Sequence, residues 1–284
     1  MKLLKKTLLV LLVLVAMLGA GAYFLLKSMG FIPRADYDEV APVLPELSRP
    51  ASLVLSKVNG YVHVDALPAA EAMLNKIAAS NGWDIYATVN AATHNPADLE
   101  KFDVVVWNNV SGDVLTAQQR TALKSWIEGG GAWVGIHASG GDPSYQWDWY
   151  VDTLVGAQFV GHTMDPQFQD ADVHVTDSQV DVTAHLSSPW VVPNEEWYAF
   201  ANNPRDKGYE ILLTLDEDSY ITRGKTCFGQ DSMEGEHPIA WRHELGRGRV
   251  LYSAIGHQGA TYDIPEFQQL ISNAIAWAGR LALQ

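Results

Sequence analysis

Cysteine is the scarcest residue in this 284-residue chain, present once as Cys227. A single thiol excludes an intrachain disulfide and any cluster held by several cysteines of one chain. The fold must then be held by its core, and 48% hydrophobic residues with 10 tryptophans supply the material for one. Positive charge is the second shortage, with 19 lysines and arginines against 33 aspartates and glutamates. Four of those cations, Lys2, Lys5, Lys6 and Lys27, precede residue 29, which leaves 15 against 33 beyond it, a formal −18. Such a surface repels phosphate backbones and excludes nucleic acid as a partner. Internal repeats and low-complexity tracts are also lacking.

A long hydrophobic run, by contrast, is present. Residues Leu8 to Leu26 are apolar apart from small residues such as Gly19 and Gly21. About 20 apolar residues suffice to span a bilayer. The lysines ahead of the run favour a cytoplasmic N-terminus, which puts the main domain in the periplasm or outside the cell. Ala20-Gly21-Ala22 resembles a signal-peptide cleavage site. The run continues past it through Tyr23-Phe24-Leu25-Leu26, so an uncleaved anchor over residues 1–28 is the preferred reading. Residues 29–50 carry Pro33, Pro42, Pro45 and Pro50 without a clean period and read as a linker. Residues 51–284 form one elaborated α/β domain.

Within that domain strand-like runs alternate with helical patterns. Ser52–Leu55 is the first strand, residues 68–80 a helix stopped by Asn81-Gly82, and Asp84–Val89 the second strand. Asp103–Trp107 is a β-branched run typical of a strand buried on both faces. Thr116 and Gln119 form a capping box for a helix that ends at Gly129-Gly130-Gly131. This order predicts a mainly parallel sheet with right-handed crossovers and helices on both faces. Residues 158–245 hold short pieces, such as Val173–Val175, Ile211–Leu213 and Ile239–Trp241, that predict added antiparallel strands. Gly248–Ser253 is a further strand, and a last helix starts near Pro265.

The most informative stretch is Gly135-Ile136-His137-Ala138-Ser139-Gly140-Gly141, which places a histidine between glycines at a strand end. Ligands of open α/β sheets bind beyond the carboxyl ends of strands. A sharp strand-to-helix turn there pushes one side chain into the site, as nucleophile elbows do. His63, His162 and His257 also sit in or just after glycine-containing turns, and Glu195-Glu196 precedes Trp197-Tyr198. Taken singly, each histidine is more often a hydrogen-bonding residue than a catalyst. Their recurrence at strand ends favours a shared site. Asn108, just past the third strand, joins His63, His162, Trp197 and Tyr198 as a candidate substrate contact. His94, His174, His185, His237 and His243 read as surface or structural. Tyr145, Trp147, Trp149 and Tyr150 read as a cover on the sheet or an apolar pocket wall.

These motifs fall in the order seen in the trehalose-utilisation (ThuA-like) family, which the chain resembles over nearly all of residues 52–280. The matching stretches begin with Asp103–Val106, Gly112–Leu115 and Gly135-Ile136-His137-Ala138. Gly161-His162, Glu196-Trp197-Tyr198 and Asn203-Pro204-Arg205 follow, then His237–Trp241, Gly248-Arg249-Val250 and Gly256-His257. The resemblance implies a flavodoxin-like fold similar to class I glutamine amidotransferases. Those enzymes carry a cysteine at the elbow; this chain has His137, so amidotransferase chemistry by thiolate attack is not expected. The resemblance also implies carbohydrate metabolism, notably of oxidised (3-keto) sugars.

Histidine suits proton transfer near neutral pH, and a keto group acidifies the adjacent C–H. His137 is the expected centre of acid–base work, with Glu196 and His257 beside it, in hydrolysis, elimination or isomerisation. In a metal-assisted variant, His63, His137, His162 and His257 would ligate a divalent ion such as zinc. No close His-x-x-x-His spacing favours it. The alternative to an enzyme is a non-catalytic sugar-binding or envelope interaction module.

Overall fold

The computed structural model describes residues 2–28, 32, 34–143, 145–226 and 229–283. Cys227 and Pro33 lie outside the described residues. Helix α1 (Lys2–Ser28) is followed by β1 (Ala51–Leu55), α2 (Ala66–Asn81), β2 (Asp84–Thr88), α3 (Pro96–Leu99), β3 (Val104–Asn108), α4 (Ala117–Glu128) and β4 (Ala132–Ile136). The insert holds β5 (Phe159–His162), β6 (Phe168–Val175), β7 (Trp190–Glu196), β8 (Tyr198–Phe200), β9 (Glu210–Leu215), β10 (Lys225–Thr226) and β11 (Gly229–Gln230). It ends in β12 (Pro238–Leu245), and β13 (Gly248–Ser253) and α5 (Pro265–Gly279) close the domain.

The main sheet runs β2-β1-β3-β4-β13-β12-β9-β6-β7. Its first five strands are parallel, in the order of flavodoxin-like sheets. The other four are antiparallel and come from the insert, as the short strand-like pieces predicted. Handedness sets the helix layers. The step from β1 to β2 crosses the sheet one way, and the steps to β3 and β4 cross it the other way. Right-handed connections then put α2 on one face and α3 and α4 on the opposite one. Contacts agree: α2 touches α5, and α3 touches α4.

Every residue of β1, β3 and β4 is buried, the burial that their continuous apolar runs require under two helical layers. Edge strand β2 is only half buried. The α4 capping box forms as expected, with Gln119 N–H donating to Thr116 Oγ1 and Thr116 N–H to Gln119 Oε1. Residues 34–50 have no helix or strand, yet they are fastened to the domain. Arg34 N–H donates to Asn59 O (2.6 Å), Lys57 Nζ meets Asp38 Oδ2 (2.7 Å), and Gln119 Nε2 donates to Asp38 O (2.6 Å). Helix α1 has one stretch, Lys6–Lys27, long and apolar enough for a membrane anchor or a signal sequence.

Candidate functional site

Loops after parallel strands share one edge of a sheet, and here they bring three histidines together. His63 follows β1, His137 follows β4 and His257 follows β13. The insert adds Glu196 from the end of β7. One ligand atom from each of His63, His137, Glu196 and His257 lies within 4.8 Å of those of the other three.

His137 occupies the turn with φ +46°, a left-handed conformation that costs a non-glycine residue and is sustained by its surroundings. Its ring is fully buried. Nδ1 lies 2.6 Å from Ala254 O, so Nδ1 carries the proton and Nε2 presents its lone pair to the cluster. Nε2 accepts from the Tyr198 hydroxyl at 2.7 Å, with His257 Nδ1 at 3.3 Å and Glu196 Oε2 at 3.7 Å. Burial, reinforced by the neighbouring His63 and His257, holds its pKa well below the usual histidine value.

His63 packs edge-on against His137 and His257, with ring centroids 4.9 and 4.6 Å away. Its Nδ1 is buried and has no hydrogen-bond partner among the described residues. Burial and His257 push its pKa down to about 3, so the ring is neutral.

Glu196 organises the other side. Its Oε2 accepts from His257 Nδ1 at 2.9 Å; its Oε1 accepts from Gln167 Nε2 at 2.6 Å and faces His162 Nδ1 at 3.1 Å. Burial pushes the carboxyl up, but the His257 hydrogen bond and the charge of His162 outweigh it, and Glu196 stays below its ordinary value. His257 moves the other way: burial lowers it, and the Glu196 bond and charge more than reverse that.

Glu195 faces the opposite direction, into the scaffold. It accepts from Gly256 N–H (3.2 Å), His257 N–H (2.9 Å) and the Thr261 hydroxyl (2.6 Å). It thereby fixes the loop that carries His257. Burial pushes its pKa up to about 7.

The structure redistributes the expected roles. His162 falls outside the four-atom set; its Nδ1 lies 2.9 Å from Thr163 O as well as facing Glu196, and Glu196 is the fourth member of that set instead. Asn108 is buried and donates to Ser56 Oγ and Leu67 O, bracing loops rather than facing the cluster. Trp197 gives its indole N–H to Gln169 O. Gln167 and Tyr198 O–H complete the site; nothing in the sequence pattern singles out Gln167. His94, His237 and His243 are buried and hydrogen-bonded structurally, to Trp107, to Glu217 and Tyr198 O, and to Leu154 O. The Tyr150 hydroxyl donates to Ser139 O, and Tyr145 O–H to Ala138 O, so these two aromatics brace the elbow. A hollow of about 670 Å³ lies between α3 and α4, away from the cluster, lined by residues such as Pro96, Ala122 and Trp126. It brings no titratable groups together.

The family model described as trehalose utilisation, ThuA, matches residues 52–278. Two solved structures described as ThuA-like are similar over most of the chain. The one from Bacteroides uniformis has a TM-score of 0.70 and 25% identity, covering 84% of this chain and 95% of its own. The one from Parabacteroides merdae has a TM-score of 0.62 and 16% identity, covering 83% and 92%. No curated protein matches the sequence.

Proposed function

Because the chain belongs to the trehalose-utilisation (ThuA) family, we propose that it is an enzyme acting on sugars or glycosides, with a divalent cation such as zinc held by His63, His137, His257 and Glu196. We further propose that α1 stays on the chain as a membrane anchor, with the domain on the far side of the membrane from the cytoplasm. The observation that carries the site is the convergence of these four side chains within 4.8 Å.

The donor set fits such an ion. Three imidazoles and a carboxylate are ligands of zinc and similar metals. His63 Nδ1 is buried without a hydrogen-bond partner among the described residues, and the Ala254 carbonyl fixes His137 in the tautomer that points Nε2 inward. Burial keeps both rings neutral, as ligation requires. A bound cation would polarise a sugar carbonyl or activate a water.

The chain's own residues supply the proton handling. His162 Nδ1–H is shared between Thr163 O and Glu196 Oε1, which leaves Nε2 as the lone pair. About a quarter of this side chain is exposed, the most open ring of the group. His162 is therefore the general base, taking a proton from water or from a C–H beside a keto group. Glu196 orients both His162 and His257. Tyr198 O–H is a buried donor 2.7 Å from His137 Nε2.

Metal content after purification without added metal tests this reading, together with turnover on oxidised and unoxidised disaccharides. The expected result is about one divalent ion per chain, loss of turnover with chelator, and recovery with zinc. A metal-free chain whose turnover ignores chelators would reject the cation. Binding of sugars with no turnover under any condition would make this a sugar-binding module.

A further inference from the structure

We propose that the sheet edge bearing this cluster is held against the membrane, and that its sugar arrives as the uncharged headgroup of a lipid in that bilayer. The inference rests on the anchor and the sugar reading above, and adds where the site faces and what carries the substrate.

The chain joins the domain at the site's own edge. Arg34 N–H donates to Asn59 O, and Asn59 Nδ2 donates back to Asp36 O at 2.9 Å. Asp38 accepts from Lys57 at 2.7 Å, from Ala91 N–H at 2.8 Å and, through its carbonyl, from Gln119 at 2.6 Å. Lys57 and Asn59 follow β1, Ala91 follows β2, and Gln119 opens α4. All lie at the carboxyl ends of the parallel strands, and Asn59 belongs to the loop that carries His63. Only then does the segment descend to the opposite edge, where Ser48 N–H reaches Asp84 Oδ2 at the start of β2 (2.5 Å).

Length makes this attachment restrictive. The seven steps from Lys27 to Arg34 reach at most about 25 Å at 3.3–3.6 Å per residue. A domain of roughly 235 residues has a radius of gyration of about 17 Å, hence a width of roughly 45 Å. The tether is shorter than the domain is wide. The domain can tip on it, but the edge with the tether and the cluster stays on the membrane side.

The surface there suits a bilayer. Val40 is 80% exposed, Val64 69%, Val89 66% and Tyr61 40%. Val64 adjoins His63, and the Tyr61 ring lies 5.0 Å from the His63 ring. Val89 follows β2, and the neighbouring Asn90 donates to Val40 O at 3.1 Å. Single exposed valines are ordinary. Several around a membrane tether form an apolar rim that can enter the headgroup boundary. Asp36, Glu39 and Asp65 are exposed on the same edge, with Lys57 Nζ 3.8 Å from Asp36 Oδ2. Together with Asp38 these carboxylates outnumber Arg34 and Lys57 on that edge, and the surplus disfavours phosphate-bearing headgroups and favours a neutral glycosyl lipid.

The test uses the full chain in phosphatidylcholine vesicles. On a Cys227→Ser background, a fluorophore is placed at Val89→Cys or, as the control, at Arg247→Cys in the turn between β12 and β13 on the opposite edge. Lipids bearing a headgroup-level quencher should quench the Val89 label several-fold more than the Arg247 label. Equal, weak quenching overturns the placement, as does a mature chain that has lost its first helix. This readout needs no turnover, so it stands apart from the sugar reading. The second arm compares a 3-keto-glucosyl diacylglycerol in the vesicles with the soluble methyl 3-keto-glucoside. The expected kcat/KM is at least tenfold higher for the lipid, and Val40→Asp with Val89→Asp should remove most of that advantage while sparing the soluble glycoside. Equal turnover of the two overturns the headgroup assignment. Quenching at Val89 with turnover of neither overturns that assignment and the sugar reading together, while supporting the placement.

Discussion

The ring of Tyr198 stacks on that of His137, with centroids 4.1 Å apart, and its hydroxyl donates to His137 Nε2 at 2.7 Å. The donor direction follows from the far side of the imidazole, where Nδ1 gives its proton to Ala254 O. Tyr198→Phe keeps the stack and removes the donor, leaving only the longer 3.3 Å approach of His257 Nδ1. An unsatisfied buried acceptor costs about 1–3 kcal/mol. The expected result is that much loss of stability in chelator. The loss should shrink when zinc is present, because a ligand nitrogen no longer needs the hydroxyl. Urea denaturation in both conditions measures the difference; equal losses would remove His137 from the ligand set.

The proposed ligand set and the proposed proton-handling residue separate in a substitution series. His63→Ala, His257→Ala and Glu196→Gln should each weaken zinc binding by more than a hundredfold in competition with a chromophoric chelator. Gln167→Ala removes the 2.6 Å hydrogen bond to Glu196 Oε1, and loss of such a supporting bond weakens metal sites about 10–100-fold. His162→Ala should leave zinc bound while kcat falls about 10²–10⁴-fold, the usual contribution of a general base. Parallel loss of zinc and kcat in His162→Ala would return His162 to the ligands.

Glu195 acts on the loop behind the site. Glu195→Ala would leave the amides of Gly256 and His257 and the Thr261 hydroxyl without their acceptor. At about 1–3 kcal/mol for each orphaned buried donor, a stability loss of about 3 kcal/mol or more is expected. Thr261→Val removes a single donor and should cost about 1 kcal/mol. Zinc affinity should fall in Glu195→Ala, because the His257 backbone is no longer fixed. Zinc affinity unchanged from the parent would show that the loop holds its place without Glu195.

Much of this arrangement is legible in local pattern, and the limits of that legibility are physical. The buried runs of β1, β3 and β4, the Thr116–Gln119 cap and the antiparallel insert all announce themselves within a few residues. The strand-end rule also gathers His63, His137 and His257, because their loops follow parallel strands at one edge. Which way a loop side chain turns is a different matter. Asn108 and Trp197 sit beside the site in sequence but give their polar hydrogens to the scaffold. His162 comes from β5, which pairs with β8 outside the main sheet, and it approaches Glu196 from the solvent side. Gln167 reaches the site only because β6 pairs with β7, a contact set by non-local register. The stretch 29–50 reads as a linker because proline and charge suppress periodicity. Its docking depends on Asp38 meeting Lys57 and Gln119, pairs that no local window contains.

Acid stability of the metal-free protein offers a test with a definite sign. His63 titrates at about 3 and His94 at about 4 in the folded state, both lowered from 6.5 chiefly by burial. Unfolded, each takes a proton near 6.5, so falling pH favours the unfolded chain by about 1.4 kcal/mol per unit per histidine. His137 is shifted in the same direction. Glu195 opposes them: held at about 7 in the fold against 4.5 unfolded, its contribution is lost as pH rises through that window and regained as pH falls. His257, raised in the fold, has its stabilisation complete below 6.5 and adds no slope there. Stability should therefore decline from pH 6.5 to 4.5 with one histidine cancelled by Glu195. Below 4.5 the decline steepens, as that opposition ends and Glu196, lowered in the fold, begins to lose its own contribution. Glu195→Gln should steepen the upper part of the curve while leaving the lower part unchanged. Urea midpoints in chelator across this range give the curve, and a flat profile down to pH 4 would refute the neutral, buried state assigned to His63 and His94.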